Sequence, residues 1–182
     1  MTVTRLSEYR RTWTRMTLDV CALLVLTSVH HVYGAVHYET PWRFHVLLGS
    51  IPAMLVLLAS WHLGADGGET WKGRAAFWIS ALTAGAVLLA IGGFEGLYNH
   101  GLKDALYFMG TSVSTLRALF PPPKYEMPND VFFEVTGVLQ VVPAVFGAVH
   151  LGRLLARRRR ALSPSGGLTL TQREGLGSAF RR

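Results

Sequence analysis

Apolar positions gather into four long blocks along the chain: Leu18 to His37, Phe44 to Leu63, Ala75 to Glu95 and Val131 to Arg153. Each is long enough for a helix to cross a hydrocarbon core of about 30 Å, which takes about 20 residues. The pattern predicts an all-α integral membrane four-helix bundle over 1–160. From 161 to 182 the chain is rich in Ser, Gly and Thr without a sustained apolar face, and is expected to be a disordered tail.

The links between blocks refine this picture. Thr40 followed by Pro41 reads as an N-cap and first helical residue, so Tyr38 and Glu39 make a tight turn between the first two spans. Gly64 to Thr70 is a short loop that pairs spans two and three. Pro52 and Pro143 fall mid-span and predict kinks, while Gly92 and Gly96 allow close helix approach. The long outer loop between helices 3 and 4, Gly101 to Asn129, repeats Leu102, Leu106, Met109, Val113, Leu116 and Phe120 at helical spacing. That predicts one interfacial helix, ended by Pro121 to Pro123.

Composition agrees with a membrane protein: 50% of the 182 residues are hydrophobic and 16% are charged. Charge then orients the bundle. Arg5, Arg10, Arg11, Arg15, Lys72, Arg74, Arg153, Arg157 to Arg160 and the tail arginines put 14 of 18 cations on one side. By the positive-inside rule both termini face the cytoplasm, in a multi-pass protein of the plasma membrane. The net charge of +7 therefore reads as topology and contact with the lipid bilayer, not as a nucleic-acid surface. Glu39, Glu95, Asp104, Glu126, Asp130 and Glu134 outnumber the outer cations and make the opposite face attractive to cations.

The first block follows arginines as a signal peptide would, but His30, His31 and Tyr33 do not form a small-residue cleavage site, so it is expected to stay as an anchor. Cys21 is the only cysteine, which excludes an internal disulfide, a CxxC pair and a thiolate-rich zinc site. Phosphate loops, nucleophile elbows and paired-cysteine zinc patterns are absent.

The candidate chemistry sits at the outer ends of the blocks. Ionisable groups inside spans cost about 2.5–3.5 kcal/mol each on insertion scales, so their presence asks for compensation. His30, Glu95 and Glu134 fall at a similar outer depth on three helices, with His31, His37 and His100 nearby. Consecutive helical residues point about 100° apart, so one of His30 and His31 is expected to face a given site. His30 and His37 are about 10 Å apart along the axis and should not share an ion. Tyr33, Tyr98 and Asn99 are candidates for supporting hydrogen bonds.

The metal-site candidates are therefore His30, His31, His37, Glu95, His100 and Glu134. Imidazole with carboxylate suits a transition metal ion such as iron, zinc, manganese or copper(II), not a cuprous relay. The leading expectation is a membrane metalloenzyme acting on a lipid-soluble substrate. A haem- or quinone-handling redox subunit stands second, with His45 and His62 on one helix, or His62 and His150, as haem candidates. A non-enzymatic assembly subunit with a membrane protein partner is third, its polar cluster serving as a latch in which Glu95 bonds His30 or Arg43.

Overall fold

The computed structural model describes residues 3–64, 70–122 and 125–162, and its described residues are helical with no strand. Residues 65–69 of the inner loop, Pro123 and Lys124, and the expected disordered tail apart from Ala161 and Leu162, which are helical, lie outside the described residues. The elements are α1 (Val3–His37), a 3₁₀ turn (Pro41–Phe44), α2 (His45–Leu63), α3 (Trp71–Val87), a π-helix (Leu88–Leu102), α4 (Lys103–Phe108), α5 (Val113–Leu119), α6 (Val131–Leu139) and α7 (Val141–Leu162). Four of the resulting rods are long and apolar enough to cross a membrane: Leu6–His37, Pro41–Leu63, Trp71–Phe108 and Val131–Arg160.

The first rod begins well before Leu18. α1 has 35 residues, so it is about 52 Å long and outruns a bilayer core. Tyr9, Trp13, Met16, Val20, Leu23, Thr27 and His30 are all buried and recur in alternating steps of four and three, one continuous inward stripe. At the chain-terminal end, Trp13 packs edge-on against Phe77 and donates its indole N–H to Ser80 Oγ at 3.0 Å. Arg10, Arg11 and Arg15 point away from that stripe and are exposed, which is how a helix can carry arginines beside a packed face.

Pro41 does open the second rod, but the Thr40 hydroxyl makes no cap bond. Its Oγ1 donates to Gly34 O and accepts from Arg43 Nε, so it ties the turn to α1 instead. Glu39 takes φ 53°, the left-handed conformation that reverses the chain in so short a link. α2 runs through Pro52.

The third rod departs most from expectation. Helix continues from Trp71 to Phe108, and the expected single interfacial helix is two pieces separated by Gly110 at φ 80°. The first piece, α4, extends the span because Lys103 and Asp104 are buried against α6. The second, α5, is capped by Ser112 Oγ accepting from Thr115 N, and only Leu116 and Phe120 of the expected stripe are fully buried.

In the fourth rod the break falls at Gln140, between α6 and α7. Pro143 has no N–H and its ring clashes with the carbonyl four residues back, that of Leu139, where α6 ends. A Cβ at Gly92 would overlap the Ala144 side chain, and one at Gly96 would press on Gln140 and Val141. The two glycines thus let the π-helix lie close against α7.

Candidate metal centre

His30 lies near the outer end of the buried α1 stripe, seven residues and about 10 Å before His37 at the helix end. The π-helix and α6 bring their polar residues to the same level. Glu95 Oε1 then becomes the meeting point of three imidazoles: His30 Nε2 at 3.7 Å, His31 Nε2 at 3.6 Å and His100 Nε2 at 3.5 Å. Both members of the His30–His31 pair therefore reach one carboxylate, although their directions diverge. Glu95 sits between the two directions, and the rings are edge-on with centroids 5.3 Å apart.

Hydrogen bonds on the far side of two rings place a proton on their Nδ1. Thr136 Oγ1 donates its one proton to Phe132 O at 2.7 Å, a bond back along α6. Its contact of 3.0 Å with His30 Nδ1 must then be donated by the imidazole. His100 Nδ1 likewise donates to Glu134 Oε2 at 2.7 Å. A neutral ring with its proton on Nδ1 presents a lone pair at Nε2. In both residues that Nε2 is buried with no protein hydrogen-bond partner, and it faces the Glu95 carboxylate. The nearest help for Glu95 is Asn99 Nδ2, which donates to Oε1 at 3.2 Å.

A second group of potential ligands, His100, Asp104 and Glu134, lies next door. Its charge is already met by a protein cation. Lys103 is 1% exposed and its ammonium lies 3.2 Å from both Glu134 oxygens, 2.7 Å from Glu126 O and 3.7 Å from Asp104 Oδ1. Only the first group, His30, His31 and Glu95 with His100 Nε2 beside it, combines unpartnered buried imidazole nitrogens with a carboxylate and no lysine or arginine ion pair among the described residues.

The remaining candidates fall elsewhere. His37 is exposed and stacks on Tyr33, with Nε2 3.8 Å from Asp130 Oδ2. Tyr33 donates to the same Asp130 oxygen, and Tyr98 to Leu119 O, so of the three expected supporting residues only Asn99 touches Glu95. Arg43 does not reach Glu95; it pairs with Glu126 at 3.3 Å and stacks over Phe133. His45 donates to Trp42 O, His62 is exposed and His150 pairs with Asp19 at 2.6 Å.

No family model, curated protein or solved structure matches this chain. The chemistry of the site rests on its own geometry.

Sequence reasoning missed Lys103, Asp104, Thr136 and Gly137. Lys103 carries a signal, since it stands one turn beyond His100 with the carboxylate-bearing Asp104 beside it. Gly137 carries none. Its Cα lies so close to the His100 imidazole that any Cβ would collide with the ring. Outside the spans, Asp130 caps α6 by accepting from Phe133 N at 2.7 Å. That bond, with help from Tyr33 and His37, holds its carboxyl below the usual carboxylate range.

Proposed function

We propose that this chain is an integral membrane protein that binds a transition metal ion between His30, His31, Glu95 and His100. The observation that carries the reading is the pair of imidazole nitrogens, His30 Nε2 and His100 Nε2, buried without hydrogen-bond partners and converging on one carboxylate oxygen. Buried nitrogens and a carboxylate left without hydrogen bonds to one another are costly, and a metal ion held among them would satisfy all three at once. The spacing supports an ion over a chance cluster. Two ligand atoms each about 2.1 Å from a tetrahedral metal lie about 3.4 Å apart, and the three nitrogens stand 3.5–3.7 Å from Glu95 Oε1.

Three imidazoles and one carboxylate favour zinc, iron, manganese or copper(II). Thr136 and Glu134 hold the outer nitrogens of His30 and His100, the arrangement that orients metal-bound histidine and raises its basicity. The arginine distribution supports a plasma-membrane orientation with both termini in the cytoplasm and the centre near the outer surface. A metal there would serve as Lewis acid or redox centre toward a substrate dissolved in the bilayer.

Elemental analysis of the detergent-purified protein tests the reading. About one equivalent of metal is expected, and its loss in a His30→Ala, Glu95→Ala double variant. Metal-free protein that stays metal-free after reconstitution with each of the four ions would sink it and leave the structural latch.

A further inference from the structure

Beside the centre, between α4 and α6, runs a groove of about 470 Å³. One side is apolar and exposed, formed by Phe108, Val131, Val135, Val138 and Leu139. The other end is acidic, with Asp104 and Glu134. We infer that this groove binds an apolar molecule carrying a hydroxyl group, the hydroxyl donating to the carboxylates at the acidic end, as the substrate site of the metal centre. Its role as substrate site rests on the metal reading above.

Size, polarity and connection all bear on the occupant. The volume lies in the usual range of small-molecule sites, about 300–1,000 Å³. The apolar wall belongs to the outer surface of a rod apolar enough to span a membrane, so the opening faces the region where lipid tails would lie. The groove's polar lining is Asp104, Glu134, Asp130 and Asn129, three of the four carboxylates. Both Glu134 oxygens are taken by Lys103, and Oε2 also by His100. Asp104 is 9% exposed; its Oδ1 is sealed from the groove and lies 3.7 Å from Lys103 Nζ, so Oδ2 is the oxygen left to a ligand. An acceptor in that position selects a ligand with an O–H and disfavours its methyl ether, which leaves the carboxylate unpaired. A strongly anionic head is disfavoured by the same carboxylates. Finally, Glu134 is the residue that holds His100 Nδ1, so a molecule at the acidic end stands one hydrogen-bonded pair from the metal-facing His100 Nε2.

The test uses wild-type protein in phosphatidylcholine nanodiscs, with and without a chelator. Binding of decylhydroquinone and of 1-dodecanol is compared with binding of their methyl ethers by isothermal titration. At least one hydroxyl compound should bind tenfold or more tightly than its ether, and which one does so tells a phenolic from an aliphatic source. Val138→Trp, which fills the apolar wall, should abolish that preference, and Asp104→Leu should reduce the hydroxyl compound to the level of its ether. Equal binding of hydroxyl and ether compounds, or wild-type preference in Val138→Trp, overturns the assignment. Metal analysis on the same samples separates the two readings. Hydroxyl preference without metal upholds the groove but overturns its place beside a metal centre, whereas metal without preference overturns the groove alone.

Discussion

His100 Nε2 lies 3.5 Å from Glu95 Oε1 although the two residues are five apart on one helix. In an α-helix, five residues turn the chain through 500°, which leaves the side chains about 140° apart. The π-helix from Leu88 to Leu102 has wider turns, bonded between residues five apart, and sets them on one face. Such wide turns recur at functional sites, and here the turn makes an intrahelical pair of a carboxylate and an imidazole that α-helical spacing keeps apart.

The hydrogen bond behind His30 should matter to the metal without touching it. Thr136→Val removes the acceptor for His30 Nδ1–H and keeps the side-chain volume. The expected result is a 10–100-fold fall in metal affinity, read by competition with a chromophoric chelator. An unchanged affinity would mean that His30 is not a ligand.

His37→Ala should retain the wild-type metal content. Its ring pairs with Asp130 and Tyr33 at the exposed end of α1, away from Glu95. Elemental analysis of this variant beside His100→Ala gives the contrast, with loss expected only in the latter.

Gly137→Ala adds one methyl group where the His100 ring already stands. Overpacking of this kind costs about 1–3 kcal/mol. Because the displaced group is the imidazole itself, the variant should lose metal while the rest of the helical structure persists. Circular dichroism together with metal analysis checks both halves.

Lys103→Met would strand Glu134 as a buried anion with only His100 to answer it. Removing one partner of a buried pair costs about 3–5 kcal/mol, and unfolding in mixed micelles should show a loss of that order. Neutralising the partner as well, with Glu134→Gln, should recover part of it.

Asp130 makes stability pH-dependent in a defined direction. Its folded carboxyl is held below the usual value by the Phe133 N–H, so its contribution is complete above the unfolded value of about 3.9 and is lost as pH falls through the lower folded value. The stability gap between wild type and Asp130→Ala should be constant from pH 7 to about pH 5 and close only in stronger acid. A gap that closes well above about pH 5 would overturn this assignment.

Four long apolar blocks were legible in the sequence because length and hydropathy are local properties, and the blocks at Phe44 to Leu63 and Val131 to Arg153 lie within the rods observed. The grouping of His30 and Glu95 was legible too, since an ionisable residue deep in an apolar block needs a partner and connectivity puts their ends of the helices side by side. Where α1 begins was not, because the Tyr9 and Trp13 stripe is held by Phe77 and Ser80 from another helix. Helical spacing let only one of His30 and His31 face the site, yet both reach Glu95. His100 was a candidate by its place in the chain, but its approach to Glu95 depends on π winding and on Gly137, which admits the His100 ring against α6. Hydropathy placed Lys103 and Asp104 in a loop, yet the unbroken third rod carries them into the bundle, where Glu134 pairs the lysine. Sequence thus determined which chemical groups share one end of the bundle. Tertiary structure decided which of them meet, since lone pairs, protons and ring directions are set by partners on other helices.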